Sequence, residues 1–348
     1  MSVNQQISTE EIITYQNEEE KFIYVERPPI EELCCNTLLN NGALVRIKAP
    51  RLMGKTALIS KVFSDIAFQG YRTAYLNFHL ANKSYFGDLD LFLKWFCISV
   101  GQNLGLENRL RDYWDEDFST SKVDCTDYFE KYILPQIDTP LILCLDEVDR
   151  IFPYEEVASE FLGLLRAWHE QAKIRTIWKR LRLVISHSTE VYLQLDINSS
   201  PFNVGLPIEL SEFTQQQVEQ LVRQHEVNFK ENEIKQLMDL VNGHPYLVEQ
   251  AISYLKNNTN SSLLAIIKTG ATESGIYRDH LRHLFRLISQ HSELLKAFKK
   301  VIMDSHSVRL DSLHSYKLHS MGLINLQGNN VVSRCRLYEQ YFLDKLTN

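Results

Sequence analysis

The stretch that decides the fold is Ala49-Pro-Arg-Leu-Met-Gly-Lys-Thr56, which lies between two apolar segments. The segment before it, residues 43–47, reads Ala-Leu-Val-Arg-Ile and is typical of a strand, whereas residues 57–63 have the spacing of a helix. A loop in this position places free backbone N–H groups at the start of the helix. The sequence therefore predicts an anion-binding strand, loop and helix.

The ending Gly54-Lys55-Thr56 identifies this segment as a phosphate-binding loop. Backbone N–H groups and the positive end of the helix would surround the phosphates, and Lys55 would reach the β- and γ-phosphates. The hydroxyl of Thr56 would ligate Mg²⁺. Ala49 replaces the usual first glycine of the pattern, so a second half of the site is needed to support the assignment.

That second half lies in residues 141–150, which read Leu-Ile-Leu-Cys-Leu-Asp-Glu-Val-Asp-Arg. Five consecutive apolar residues predict a strand buried on both faces, as in a parallel sheet. Ligands bind at the carboxyl ends of such strands, so Asp146 is expected to hold Mg²⁺ through water and Glu147 to polarise the attacking water. The alternative is a core strand that ends in a solvated acidic turn. The acidic end of this strand together with Gly-Lys-Thr favours a nucleotide site over that alternative.

Predicted strands and helices alternate along the first 195 residues, which indicates a parallel sheet flanked by helices. The further strands of this part are predicted at residues 72–78 and 182–186, and the helices at residues 30–39, 88–104, 123–137 and 157–171.

The pattern changes to helices after about residue 196, with Thr214 as a good N-cap and Gly243-His244-Pro245 as an interruption. The last part combines helices with a hairpin whose turn is Gln327–Asn330. The predicted organisation is a polar leader (1–21), a P-loop ATPase core (22–195), a helical lid with a linker (196–275) and a winged-helix domain (276–348).

The composition is that of an ordinary globular protein, with 44% hydrophobic and 23% charged residues. The net charge of −7 argues against a generally basic protein that coats nucleic acid, although a local basic patch stays open. The six cysteines lack metal-ligand spacing and are expected to be core thiols in a reducing cytoplasm. We expect neither a signal segment nor a membrane span.

From about residue 22 to 345, the sequence resembles the AAA-like domain family of STAND-type P-loop ATPases, relatives of origin-recognition and transposition-regulator ATPases. The resemblance implies an α/β fold, in which a P-loop NTPase parallel sheet carries a helical lid and a C-terminal winged helix. The motifs that carry it are Tyr24-Val25-x-Arg27…Glu31, Pro50-Arg51-x-x-Gly54-Lys55-Thr56, Asp146-Glu147 with Asp149, Ser188-Thr189, Gly243-His244-Pro245 and Cys335–Phe342.

The resemblance also implies roles for these positions. Arg27 would contact the base or phosphate, or else be a surface arginine; Ser188 would sense the γ-phosphate, or else cap a turn. His244 and Pro245 would contact the nucleotide through the backbone of the lid. The predicted catalytic residues are Lys55, Asp146 and Glu147, and the predicted metal ligands are Thr56 and Asp146. The predicted nucleotide contacts are Arg27, Pro50, Arg51, Met53, Gly54, Lys55, Thr56, Ala57, Ser188, His244 and Pro245.

The favoured function is a molecular switch that binds ATP or ADP with Mg²⁺, hydrolyses ATP slowly and moves its lid and winged helix. Partners would be a second copy or another protein, with DNA contact possible through the winged helix. One alternative is a DNA-associated regulator that assembles on duplex with ATP, and another is a module that holds ADP without turnover. Arg180 or Arg182 would be candidates for an arginine supplied to a neighbouring subunit. The choice between ATP and GTP stays open.

Overall fold

The computed structural model describes residues 23–115, 118–188, 201–304 and 306–347. The predicted leader and Thr189 lie outside these ranges. The first part of the chain forms helices α1 (Ile30–Leu38), α2 (Lys55–Ala67), α3 (Leu89–Asn103), α4 (Ser121–Tyr128) and α5 (Glu155–Gln171), and strands β1 (Leu44–Lys48), β2 (Arg72–Asn77), β3 (Leu141–Asp146), β4 (Leu181–His187) and β5 (Leu206–Glu209).

These strands form one parallel sheet in the order β2-β3-β4-β1-β5. Every residue of β3 and β4 is buried, as the apolar runs predict. Helices α3, α4 and α5 cover one face with a cluster of aromatic side chains, and α1 and α2 cover the other. The α/β fold class with a parallel sheet is confirmed, and it places the ends of β1, β3 and β4 at one edge.

Strand β5 is a feature that the sequence analysis did not predict. The strand lies within residues 196–275, the segment predicted to form only the lid and linker. It pairs with β1 of the core sheet. The strand has four residues at the sheet edge, includes Pro207 and buries only Ile208. It therefore lacks the long apolar run by which a buried strand is recognised, and proline is tolerated there because edge strands have unpaired positions.

The predicted helix at residues 123–137 also differs in detail. Helix α4 begins earlier, at Ser121, and is followed by a π-helical turn over Phe129–Ile133. The turn buries Phe129 and Ile133 in the aromatic cluster, so packing has overridden regular helical spacing here.

The lid consists of α6 (Gln215–Gln224), α7 (Glu231–Val241), α8 (Pro245–Asn257) and α9 (Leu263–Thr269). Thr214 caps α6 as predicted: its hydroxyl accepts from the Gln217 backbone N–H, and the Gln217 side chain accepts from the Thr214 backbone N–H. Asn242 ends α7 in a left-handed conformation, and Pro245 begins α8, where its missing N–H costs nothing.

The C-terminal unit, residues 276–347, contains α10 (Arg278–Ser289), α11 (Ser292–Met303), α12 (Ser312–Ser320), the antiparallel hairpin of β6 (Ile324–Gln327) and β7 (Asn330–Ser333), and α13 (Arg336–Thr347). Helices followed by a hairpin are predicted for this part from the sequence, and the structure adds a helix after the hairpin. The unit shares one apolar core with the lid, and the buried Tyr277 hydroxyl donates to the Leu247 carbonyl at 3.1 Å. In the part of the chain that the structure describes, no helix is both long and apolar enough to cross a membrane.

Candidate nucleotide-binding site

The phosphate loop joins β1 to α2, as predicted. Gly54 directly precedes α2 and has φ of +91°, a conformation that residues with a side chain rarely adopt, and an added Cβ would lie 3.1 Å from Arg27 Nη2. No side chain caps the described start of α2. Its first-turn N–H groups therefore form the kind of donor set that phosphate oxygens occupy.

Lys55 connects this loop to the end of β4. The residue is 5% exposed, and its ammonium donates to Ser188 Oγ at 2.7 Å and to the carbonyls of Ala49 at 3.1 Å and Pro50 at 3.3 Å. Ser188 is held in turn, because its backbone N–H donates to Asp149 Oδ1 at 2.9 Å. Burial lowers the pKa of Lys55, and the carboxylates on β3 and the following turn partly offset that effect.

The two predicted catalytic carboxylates differ in their surroundings. Asp146 is 1% exposed; its Oδ1 accepts from the Glu147 backbone N–H at 2.9 Å, and its Oδ2 accepts from the Tyr75 hydroxyl at 2.6 Å. Glu147 has φ of +56°, an uncommon backbone conformation for a residue other than glycine. Its Oε2 lies 3.5 Å from His79 Nε2.

His79 also contacts Arg150, and this contact fixes the tautomer. Arg150 Nη1 lies 3.1 Å from His79 Nδ1. Because a guanidinium only donates, Nδ1 accepts and the ring hydrogen of neutral His79 is on Nε2, which faces Glu147. Neither Tyr75 nor His79 was predicted from the sequence. The signal that finds them is strand pairing, since Asn77 lies opposite Asp146 in the parallel register of β2 and β3.

A cavity of about 840 Å³ extends from the phosphate loop to the lid and the C-terminal unit. Its size is in the range of small-molecule sites. The predicted residues that line it are Arg27, Arg51, Gly54, Lys55, Thr56, Ala57, Glu147, Ser188, His244 and Pro245. Three others, Pro50, Met53 and Asp146, are buried and do not belong to that lining.

Arg27 lines the cavity and also clamps the loop. Its Nη2 donates to the Met53 carbonyl at 2.8 Å, its Nη1 donates to the Ser211 carbonyl at 3.1 Å, and its guanidinium stacks over Phe213 at 4.6 Å. Burial lowers its pKa from the ordinary value. Arg27 is thus a buried arginine that joins the phosphate loop to the segment leading into the lid, rather than a surface arginine.

The lid side of the cavity contains His244, which is 2% exposed and whose buried Nδ1 has no hydrogen-bond partner among the described residues. Burial, Arg334 and His280 hold its pKa well below the ordinary value, so the ring is neutral near pH 7. Burial also lowers the pKa of His280 to about 4, and its Nε2 lies 2.7 Å from the Tyr338 hydroxyl. Within the described ranges, no three His, Cys, Asp or Glu side chains are grouped to hold a metal by themselves.

The C-terminal unit contacts the phosphate loop directly. Arg334 is 3% exposed, and its Nη1 lies 3.1 Å from Glu212 Oε1 and 3.3 Å from Met53 Sδ. A Cβ placed on Gly322 would lie 3.3 Å from the Cβ of Pro50. Nothing in the local sequence of Arg334 distinguishes it from a surface arginine, so this contact was not predicted.

The structure corrects one hypothesis about basic residues. Arg182 is buried at the start of β4, the end of the strand away from the phosphate loop. It donates to the carbonyls of Leu38 at 3.2 Å and Lys179 at 2.8 Å, and to Asn41 Oδ1 at 3.1 Å. Its donors are used within its own chain, so Arg182 is not available to a neighbouring subunit.

The donor set fits a nucleotide with Mg²⁺. The uncapped start of α2 and the Lys55 ammonium suit phosphates, and the Asp146 carboxylate and Thr56 hydroxyl are the oxygen ligands that Mg²⁺ prefers. Each Asp146 oxygen accepts one protein hydrogen bond, which leaves lone pairs for a metal-bound water.

Comparisons with known proteins agree with this geometry. A family model described as an AAA-like domain matches residues 13–344, whereas no curated protein matches the chain. The chain is similar to the Walker-type ATPase of Pyrococcus abyssi, with 11% identity, a TM-score of 0.64, and coverage of 92% of this chain and 96% of the other.

It is also similar to the ORC2 protein of Aeropyrum pernix. The structure of that protein with ADPNP and ADP is 14% identical, has a TM-score of 0.50, and matches over 95% of this chain and 98% of the other. Its ADP form has a TM-score of 0.51 with the same identity and coverage. At these identities the structural similarities show the fold alone.

Proposed function

This chain belongs to the AAA-like domain family, and on that premise we propose that it is a STAND-type switch that binds ATP with Mg²⁺ and hydrolyses it slowly. The observation that carries the proposal is the position of Met53 in the phosphate loop. Arg27 binds its carbonyl and Arg334 of the C-terminal unit contacts its sulfur. A phosphate that displaces this loop would therefore disturb the packing of the C-terminal unit.

The site residues have distinct roles in this proposal. The N–H groups at the start of α2 and Lys55 bind the phosphates, with Ser188 holding the ammonium at the end of β4. Thr56 and Asp146 would hold Mg²⁺, which supplies positive charge against the phosphate oxygens. Arg51 and Ala57 line the phosphate end of the cavity. Pro50 and Met53 are buried under the loop and would support its conformation.

Glu147 is the proposed base that orients the attacking water. In the structure its carboxylate faces the Nε2–H of His79 and its backbone is left-handed. The His79 imidazole would compete with the attacking water for Glu147, and slow turnover fits a signalling role better than a metabolic one.

The lid is connected to the same loop. The Phe213 backbone N–H donates to the Gly243 carbonyl at 2.8 Å, and Phe213 carries the Arg27 guanidinium on its ring. His244 and Pro245 follow directly and line the cavity. Nucleotide contact at Gly243-His244-Pro245 would thus act on Phe213. The residue before it, Glu212, is the partner of Arg334.

Residues 276–348 contain eleven Lys and Arg but six Asp and Glu, so the charge of the C-terminal unit keeps the alternative of assembly on DNA open, although some of its basic side chains are paired. Arg282 and Lys345 both pair with Glu273 at 2.6 Å, and Lys296 pairs with Glu293 at 2.8 Å. Basic side chains that are already paired have less to gain from phosphates. We propose self-association or binding of another protein as the output of the switch, with assembly on DNA as the alternative.

Nucleotide binding by Lys55→Ala tests the assignment of the site. We expect the affinity for ATP to fall at least about tenfold, because an ammonium on the phosphates contributes more than a neutral hydrogen bond. Lys61→Ala is the matched control, since Lys61 is on the same helix and pairs with Asp65 at 2.8 Å, away from the phosphate loop. Equal affinity of Lys55→Ala and wild type for ATP would refute the site.

A further inference from the structure

Tyr75 on β2 is a residue that the proposed chemistry does not yet use. Its hydroxyl donates to Asp146 Oδ2 at 2.6 Å, the short distance of a hydrogen bond to a charged acceptor. Parallel pairing of β2 with β3 brings the two side chains together, because Asn77 lies opposite Asp146 and Tyr75 precedes it by one full strand repeat. Both residues therefore face the α2 side of the sheet.

A chain of hydrogen bonds fixes the direction of this contact. The His79 backbone N–H donates to Asn77 Oδ1 at 2.8 Å, so the Asn77 amide nitrogen is on the other side, 3.5 Å from the Tyr75 oxygen. An amide nitrogen only donates, and the Tyr75 oxygen therefore accepts from it. The Tyr75 hydrogen is left to point at Asp146.

This hydrogen bond matters more for the buried carboxylate of Asp146 than for the hydroxyl of Tyr75. Tyr75 is only partly buried, so water can reach that side chain, whereas Asp146 is 1% exposed. Asp146 Oδ1 accepts from the Glu147 backbone, and Tyr75 is the side chain that donates to Oδ2. Without Tyr75 the carboxylate would keep the hydrogen bond at Oδ1 but lose the one at Oδ2, so its rotation about the Cβ–Cγ bond would be less restricted.

We propose that Tyr75 is a positioning residue that holds the Asp146 carboxylate in the orientation required for Mg²⁺, with Asn77 setting the direction of its hydroxyl. The proposal rests on the nucleotide-binding function proposed above. Partners of metal-ligating groups in other proteins affect metal affinity by about 10–100-fold when they are removed. Tyr75 would be such a partner of the metal ligand Asp146, because its hydroxyl donates to the Asp146 carboxylate.

The test is Tyr75→Phe, which removes the hydroxyl and keeps the ring. ATP affinity is measured with a fluorescent ATP analogue, first in EDTA and then over a titration of Mg²⁺. We expect wild-type affinity in EDTA and an increase of about tenfold or more in the Mg²⁺ concentration at half effect. Tyr132→Phe is the control, because that hydroxyl donates to the Glu107 carbonyl in the helical layer, at 2.7 Å; it should match wild type in both.

A double variant separates positioning from general damage. In an Asp146→Asn background, adding Tyr75→Phe should cause no further change in the Mg²⁺ titration, because the carboxylate on which Tyr75 acts is gone. An unchanged Mg²⁺ requirement in Tyr75→Phe would overturn the proposal, as would an equal loss of affinity in EDTA. Absence of nucleotide binding by the wild type would instead refute the proposed function, and the role of Tyr75 with it.

Discussion

The guanidinium of Arg334 lies 3.3 Å from the sulfur of Met53, although 281 residues separate them in the chain. The same guanidinium pairs with Glu212 at 3.1 Å, and Glu212 also accepts from Asn325 of the hairpin at 3.1 Å. Arg334 therefore joins the phosphate loop, the segment leading into the lid, and the C-terminal unit at one point.

Arg334→Gln should loosen this junction. Removing a buried charge pair and its hydrogen bonds is expected to lower the free energy of unfolding by about 1–3 kcal/mol, and to speed nucleotide release because the loop loses a contact. Urea denaturation and the dissociation rate of a fluorescent nucleotide measure the two effects. Arg336→Gln, an exposed neighbour, is the control and should match wild type. Unchanged release from Arg334→Gln would argue against a link between the loop and the C-terminal unit.

Gly54→Ala should disturb the phosphate loop in two ways, through backbone strain and through contact of the new methyl group with Arg27. At φ of +91° an alanine is strained, and its Cβ would lie 3.1 Å from Arg27 Nη2. Gly70→Ala is the matched control, because Gly70 has φ of +79° and no atom within 4 Å of the added Cβ. We expect both variants to lose about 1 kcal/mol or more of stability, but only Gly54→Ala to lose ATP binding, as read by calorimetry. Loss of binding in both would indicate that the clamp by Arg27 is not involved.

Glu147→Gln should separate binding from hydrolysis. The amide keeps the size of the side chain but cannot accept a proton, so we expect turnover to fall by about 10²–10⁴-fold while ATP affinity is retained. Phosphate release and equilibrium binding give the two quantities, and the exposed Glu156→Gln serves as control. A Glu147→Gln variant with wild-type turnover would favour the alternative of a module that holds ADP without using this carboxylate.

Stability should fall in mild acid because of His280. Burial lowers its folded pKa from 6.5 to about 4, so between these values the unfolded state binds more protons than the folded state. The contribution of neutral His280 to stability is therefore complete above pH 6.5 and declines as the pH falls towards 4. One pKa unit corresponds to about 1.4 kcal/mol, so the decline attributable to His280 is up to roughly 3 kcal/mol.

Denaturant titrations of wild type and His280→Gln at pH 7.5 and pH 4.5 check this expectation. Glutamine can keep a hydrogen bond with Tyr338 but has no charge to gain. The variant should lose less stability than wild type between the two values of pH. An identical loss in both proteins would contradict the role given to His280.

The parts of the site that the sequence predicts are those whose residues are adjacent in the chain. Gly54-Lys55-Thr56 and Asp146-Glu147 are short motifs at strand ends, and parallel pairing brings strand ends to one edge whatever the lengths of the connections. The contact of Lys55 with Ser188, whose backbone N–H donates to Asp149, follows from that topology.

The missed residues depend on register and on packing between distant segments. Tyr75 contacts Asp146 only because β2 pairs with β3 in one register, and a slip of one residue would turn its side chain to the other face. Arg334 and Glu212 meet through the shared core of the lid and the C-terminal unit, which no local pattern encodes. Strand β5 was missed because its four residues are too few and too exposed for a periodic signal.

Hydrogen exchange of the hairpin Ile324–Ser333 tests the central claim, that the nucleotide in the cavity controls the contact between the phosphate loop and the C-terminal unit. The measurement compares ADP with a non-hydrolysable ATP analogue, in wild type and in Lys55→Ala. We predict faster exchange of the hairpin with the analogue than with ADP in wild type, and no difference in Lys55→Ala. Equal exchange with both nucleotides in a wild-type protein that binds both would contradict the account.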